Sequence, residues 1–292
     1  MSSQQVILIT GSSSGFGRLF AETLARRGHT IFATMRDPQG RNAANATALR
    51  AIPGIHVLEM DVSDDASVAR AVEAALQQAG RIDVAINNAG YAVIGLVETC
   101  TTEQVRQIFE TNFFGTVRVS RAVLPAMRRQ RSGLLIHISS GAGRIVFPAF
   151  GVYCATKFAM EALGEAYHYE LAGQGIESCI VQPGAYKTDI FGKLVAGEDA
   201  SRAETYGAAA QFPDKLNAIL TSSSADPQQV ADAVVSIVDT PAGQRKLRYR
   251  VSAAPGGADE INAISTQVQA ALLERLGLAA ETKFVQRAAA TQ

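Results

Sequence analysis

The chain has 292 residues, 47% hydrophobic and 18% charged, with 27 basic side chains balanced by 27 acidic ones. That balance provides no global field to gather a polyanion, so nucleic acid is not an expected partner. No apolar run approaches the ~18 residues of a membrane span, and the first residues lack a basic segment leading into a secretory core, so a cytoplasmic protein is expected. Cys100, Cys154 and Cys179 have neither metal-ligand spacing nor the even count of a disulfide framework.

Strand-like runs recur at 6–10, 30–34, 55–60, 83–87, 134–139 and 176–182. They are separated by stretches long enough for helical crossovers. The alternation implies a single α/β domain over 1–292, a doubly wound parallel sheet with helices on both faces. The first strand runs into Thr10-Gly11-Ser12-Ser13-Ser14-Gly15-Phe16-Gly17 and then a helical pattern through Leu19, Phe20, Leu24 and Ala25. Glycines at 11, 15 and 17 permit positive φ and close backbone approach by a ligand's phosphates, and free amides at a helix start favour negative charge. This context fits a dinucleotide-binding βαβ unit.

Helices are expected over Asp64 to Gln78, over 102–130 from a cap at Thr101-Thr102-Glu103, and from Tyr153 to Leu171, ended by Gly173 or Gly175. The run Arg128-Arg129-Gln130-Arg131 reads as a solvated helix end. Tyr153 and Lys157 stand four residues apart, so on a helix they share one face, and a nearby ammonium favours the phenolate of a group whose reference pKa is ~10. Such a pair suits general acid-base chemistry on a carbonyl or an alcohol. Ser140 lies thirteen residues before the tyrosine, and Asn112 farther upstream.

The segment 189–226 carries Phe191, Leu194, Tyr206, Phe212, Leu216 and Leu220 among small residues, more apolar bulk than a linker needs. It is expected to form a substrate lid with short helices. The extension 251–292 has a helical pattern at Ile261, Ile264, Val268, Leu272 and Leu276, consistent with a cover for the substrate mouth, a subunit contact or core packing; Arg287 to Gln292 read as a frayed end.

In their order, Thr10 to Gly17, Asp61-Val62, Asn87-Asn88-Ala89-Gly90, Ser140, Tyr153 with Lys157, and Pro183-Gly184 followed by Thr188 resemble the motifs of the short-chain dehydrogenase/reductase family, closely over about residues 5 to 190. The resemblance implies Asn112, Ser140, Tyr153 and Lys157 as catalytic residues. Tyr153 would exchange the proton with the substrate oxygen, Ser140 bond that oxygen, and Lys157 contact the nicotinamide ribose and lower the tyrosine pKa. Asn112 would hold a water on the relay from Lys157 to solvent, stabilise a helix kink, or both. For the cofactor it implies Gly11, Ser12, Ser14, Gly15, Phe16 and Gly17 at the phosphates, Asp61 and Val62 beside adenine, Asn88, Ala89 and Gly90 by the adenosine ribose, Tyr153 and Lys157 again, and Pro183, Gly184 and Thr188 near the carboxamide.

The family places an NAD-selecting acid near the end of the second strand. Here the stretch is Ala33-Thr34-Met35-Arg36-Asp37. Arg36 can pair with a 2′-phosphate that an acid at Met35 would repel, so NADP (NADPH) is the expected cofactor, with Ser12 adding a hydroxyl; the alternative leaves Arg36 solvated and gives the ribose to Asp37. No metal is expected, and no role is assigned to His29, His56, His137 or His168. The expected activity is NADPH-dependent reduction of a ketone or aldehyde, reversible, on a bulky apolar substrate as in hydroxysteroid and retinol dehydrogenase branches. The alternatives are a 3-oxoacyl thioester reductase and a non-catalytic NADP-binding redox sensor. The resemblance also implies a homodimer or homotetramer built on 102–130 and 153–171.

Overall fold

The computed structural model describes residues 4–186, 194–252 and 257–286. In chain order the elements are β1 (Val6–Ile9), α1 (Gly15–Arg26), β2 (Thr30–Met35), α2 (Ala43–Arg50), β3 (Ile55–Glu59), α3 (Asp65–Ala79), β4 (Val84–Asn87), β5 (Val93–Ile94), α4 (Thr102–Phe109), α5 (Gly115–Gln130), β6 (Gly133–Ile138), α6 (Gly151–Ala172), β7 (Ile176–Pro183), β8 (Val195–Ala196), α7 (Phe212–Thr221), α8 (Gln228–Asp239), β9 (Arg248–Val251) and α9 (Ala258–Arg275). Seven strands form one sheet in the order β3-β2-β1-β4-β6-β7-β9, and every adjacent pair is parallel. With helices on both faces this is the doubly wound, Rossmann-type architecture that the alternation implied.

Alternation along β1 decides which layer each side chain joins, because successive residues of a strand point to opposite faces. Ile7 and Ile9 pack with Phe20 and Leu24 of α1, Leu49 of α2, and Val230, Val234 and Ile237 of α8. Val6 and Leu8 pack with Val68 and Val72 of α3 and Val119, Val123 and Met127 of α5. Burying a Leu or Ile side chain contributes about 1.5–3 kcal/mol, so the two layers hold the sheet from both sides.

Helix ends follow local chemistry. Asp64 caps α3 by accepting from Ala66 N at 2.8 Å, and Gly80 closes it in the left-handed region at φ 73°. Thr101 and Gln104 form a capping box at the start of α4. The expected continuous helix over 102–130 is interrupted: α4 and α5 are joined by a π-helical turn, Glu110–Phe114, that contains Asn112. α6 begins two residues before Tyr153 and ends at Gly173.

The seventh strand, β9, is a correction to the six-strand expectation. Its sequence, Arg-Tyr-Arg-Val, carries two arginines that mask the strand pattern, and both are neutralised by carboxylates from helices. Helices α2 and α8 are also additions.

Candidate active site

The glycine turn and the Asn87–Gly90 segment fold against each other. Gly11 and Gly15 have φ of 69° and 55°, where a side chain would strain the backbone. Thr10 Oγ1 accepts from both Asn88 N and Ala89 N at 2.9 Å, and Asn88 Nδ2 donates back to Thr10 O at 2.8 Å. A Cβ on Gly17 would lie 2.5 Å from Asn88 Nδ2 and closer still to Gly11 O. Gly17 therefore serves the packing of the two motifs and does not line the cavity beside them. Ser12 also departs from expectation: it is fully buried, and its hydroxyl donates to Ile9 O at 3.1 Å, facing away from any ligand. Ser13 and Ser14 occupy the cavity wall in its place, with Gly11, Gly15 and Phe16.

That wall belongs to a cavity of about 1320 Å³ that runs along the carboxyl ends of the strands. One end holds Met35, Arg36, Arg41 and Asp61. Met35 is buried, while Arg36 and Arg41 are exposed cations. Asp37 sits at φ 47° and its two oxygens accept from Gly40 N and Arg41 N, each at 2.9 Å, so its carboxylate closes its own loop. Burial pushes the Asp61 carboxyl up, but hydrogen bonds from Ser63 and the charges of Arg36 and Arg41 prevail and hold it below the usual range. Arg41 went unnoticed in the sequence. The signal available was a second cation five residues after Arg36, and it becomes a wall residue only through the turn that Asp37 caps.

The middle of the cavity brings together Val62, Asn88, Ala89, Gly90, Ser140, Tyr153, Lys157, Pro183 and Gly184. Thr188 lies outside the described residues. Ser140 starts a short turn after β6, accepting from Ala142 N at 3.1 Å, and its hydroxyl is in hydrogen-bonding reach of the Tyr153 phenol. Lys157 sits one turn after Tyr153 on α6, with its Nζ 5.6 Å from the phenol ring centroid and donating to Ile138 O at 2.9 Å. Burial pushes the Lys157 amine down to about 8, with Glu161 acting in the opposite direction. Tyr153 differs from the expectation of a depressed phenol: burial pushes it well up, and the Ser140 hydrogen bond offsets this only in part. Desolvation disfavours the charged phenolate and outweighs that single hydrogen bond. At neutral pH the free protein thus holds Tyr153 as a proton donor. Cys154, also buried, has its thiol pushed up by burial and serves packing.

Asn112 is fully buried and does not line the cavity. Its Oδ1 accepts from Tyr91 N at 3.0 Å, and its Nδ2 donates to Tyr91 O at 3.0 Å and to Thr156 Oγ1 at 3.1 Å. The side chain pins the strand-end loop after β4 to the helix that carries Tyr153.

The other end of the cavity is apolar, with Val93, Ala142, Ile145, Phe147, Phe150, Tyr186, Leu216, Ile219 and Leu220. The last three come from α7, within the segment expected to be a lid, whose residues 189–193 lie outside the described residues. β8 pairs with β5, Val195 against Val93, and Gln104 ties the same stretch down by bonding Ala196 O at 2.8 Å and Glu198 N at 3.0 Å. Glu98 binds Arg202 at 2.9 Å and Tyr206 at 2.7 Å. No metal-holding cluster exists among the described residues, and no helix among them is long and apolar enough to cross a membrane.

Residues 5–199 match the family model for short chain dehydrogenases. A 3-ketodihydrosphingosine reductase of Bacteroides thetaiotaomicron is 37% identical over 234 residues, covering 80% of this chain and 83% of that protein. Human (Homo sapiens) retinol dehydrogenase 8 is 34% identical, covering 85% and 83%. The crystal structure of a short-chain dehydrogenase from Streptomyces avermitilis superposes with a TM-score of 0.75 at 33% identity, covering 97% of this chain and all of that one.

Proposed function

The chain belongs to the short-chain dehydrogenase family of oxidoreductases, and from that premise we propose that it is an NADPH-dependent reductase of a bulky apolar ketone or aldehyde. One observation carries this reading: Ser140, Tyr153 and Lys157 meet on the wall of a cavity that is cationic at one end and apolar at the other. Its volume of about 1320 Å³ exceeds the ~300–1,000 Å³ of a pocket for one small ligand, leaving room for a dinucleotide and a substrate together.

The residues present fit NADP. The buried Met35 stands where an acid would repel a 2′-phosphate, Arg36 and Arg41 can bond one, and Asp37 is committed to its own loop. Gly11, Ser14, Gly15 and Phe16 would hold the diphosphate at the amino end of α1, where the helix dipole and first-turn amides favour an anion. Asp61 and Val62 would flank adenine, Asn88, Ala89 and Gly90 the adenosine ribose, Lys157 the nicotinamide ribose, and Pro183 and Gly184 the nicotinamide.

When bound, the cofactor would supply a hydride to the carbonyl carbon. Tyr153 gives its phenolic proton to the carbonyl oxygen as negative charge develops there, and Ser140 donates a hydrogen bond to the same oxygen. Lys157 stabilises the phenolate left behind, which regains its proton from solvent. Asn112 acts through position, holding Tyr91 and Thr156. Phe147, Phe150, Leu216 and Leu220 exclude water and favour an apolar chain or ring, in keeping with the sphingoid and retinoid names of the relatives. A homodimer or homotetramer through α4, α5 and α6 belongs to the same reading, supported by Phe114, in the turn between α4 and α5, and Phe158, on α6, which are 46% and 40% exposed.

The test is a panel of long-chain and polycyclic ketones and aldehydes, followed by loss of NADPH absorbance. Turnover of apolar members but not of small polar ones is expected, and no NADPH consumption with any carbonyl would refute the proposal.

A further inference from the structure

Lys157 is only 5% exposed, and a buried ammonium is costly unless a counter-charge accompanies it. One turn farther along α6 stands Glu161, itself 2% exposed. Its Oε1 accepts from Gln182 Nε2 at 2.9 Å and its Oε2 from Arg248 Nε at 2.8 Å. Arg248 also binds Glu165 at 2.6 Å, and Gln182 Oε1 accepts from Asn262 Nδ2 at 2.8 Å. Arg248 lies on β9 and Asn262 on α9, both beyond residue 199, where the match to the family model ends.

Buried ion clusters of this kind are weak devices for stability, since apolar replacements are often as good. Charge at the active site gives this one a role. Lys157 and Arg248 balance Glu161 and Glu165, but the two carboxylates are not equivalent. Glu161 is about 6 Å of helix rise from Lys157 and Glu165 about 12 Å. The other ionisable groups around this cluster are Tyr153 and Tyr169 on α6, His137 on β6, Arg144 in the turn after β6, Glu110 in the π-helical turn, Arg250 on β9 and Asp259 on α9; the Tyr169 hydroxyl donates to Glu165 Oε1 at 3.1 Å, and burial together with the Glu165 charge pushes that phenol up. His137 is neutral because burial pushes it down to about 4, Glu110 is paired with Arg118, and Arg250 is paired with Asp259. Arg144 bonds Ser265 and Ile261 O and shares the field of both glutamates. Of the two carboxylates, Glu161 stands one turn from Lys157 on the same face of α6, and its charge opposes the desolvation of the amine.

We propose that Glu161, clamped by Arg248 and Gln182, is a positioning residue that keeps Lys157 an ammonium beside Tyr153, and that β9 and α9 reach the catalytic helix through it. This rests on the Tyr153–Lys157 reading above. With burial bringing the amine to about 8, a modest change in field decides whether it is charged at working pH.

The experiment is an NMR titration of ¹³Cε-labelled lysine in the protein without cofactor or substrate, with Lys157→Arg identifying the Lys157 signal. Glu161→Gln should lower the Lys157 midpoint by about one unit or more. Glu165→Gln, which removes the other carboxylate of Arg248, should leave it in place. Arg248→Gln, which frees the Glu161 charge, should raise it, and Arg248→Gln combined with Glu161→Gln, which removes both charges, should not; loosening of the site hydrates the amine and raises the midpoint in either variant, so the contrast separates field from structural damage and survives if Glu161→Gln alone does not fold. In wild type and Glu161→Gln, the alkaline limb of reductive kcat should follow the Lys157 midpoint. An unmoved midpoint in folded Glu161→Gln, an equal drop in Glu165→Gln, or a drop in Arg248→Gln would overturn the proposal. Near-normal turnover in Tyr153→Phe would instead sink the catalytic reading while leaving these titrations interpretable.

Discussion

On the proposed reading, cofactor choice turns on two exposed guanidiniums and one buried thioether. Arg36→Ala and Arg41→Ala each remove a cation from the adenosine end of the cavity, where Met35 offers no charge and Asp37 is held by Gly40 N and Arg41 N. A charge-assisted hydrogen bond contributes about 1.5–3 kcal/mol, roughly 10- to 150-fold in affinity. Because both arginines are exposed and screened by solvent, the lower end applies, about tenfold for each. The assay is kcat/KM for NADPH and NADH. Each variant should lose about tenfold against NADPH with little change against NADH, and Met35→Asp should reverse the preference by repelling the 2′-phosphate and accepting from ribose hydroxyls. A wild-type preference for NADH, or an unchanged ratio in both arginine variants, would refute the reasoning.

Other perturbations have equally definite outcomes. His137 stays neutral in the folded protein until about pH 4 but titrates near 6.5 when unfolded, so the unfolded state binds the extra proton between these values. Stability should fall by about 3 kcal/mol as pH drops through that window, and denaturant midpoints for His137→Gln should show a flatter acid slope. Asn112→Ala leaves Tyr91 N and O without their side-chain partner and should cost about 2 kcal/mol or more in unfolding free energy. Leu220→Asn should raise KM for an apolar carbonyl about tenfold while the NADPH Kd stays as it was, because the residue lines only the apolar end. An equal loss for both ligands would show that α7 does not bound the substrate.

The parallel core of the fold was legible because β-branched runs and intervening helical periods are written locally: β1, β2, β3, β4, β6 and β7 lie within a residue or two of the expected segments. β9 was not, since Arg248 and Arg250 read as surface residues until Glu161, Glu165 and Asp259 are seen beside them. The convergence of Ser140, Tyr153 and Lys157 could be anticipated from motif order, whereas the directions of individual side chains could not. Ser12 and Gly17 sit inside a ligand-binding motif yet face Ile9 O and Asn88, and Asn112 clamps a loop away from the cavity. The role of Gly17 depends on packing between the glycine turn and the Asn87–Gly90 segment, and that of Asn112 on bonds to Tyr91 and Thr156, 21 and 44 residues away, while Ser12 turns its hydroxyl to a carbonyl three residues back. The Tyr153 pKa also escaped the sequence, because spacing reveals the neighbouring cation but not the desolvation that pushes the phenol up.

The central claim is that Tyr153 delivers the proton in an NADPH-driven carbonyl reduction. Its most direct test is a comparison of Tyr153→Phe with the wild type for NADPH binding by fluorescence and for single-turnover reduction of the best substrate in the panel. The account predicts NADPH affinity within about twofold of wild type, since the ring and the glycine turn remain, together with a loss of at least roughly a hundredfold in the rate of reduction. Near-normal reduction by Tyr153→Phe would contradict it.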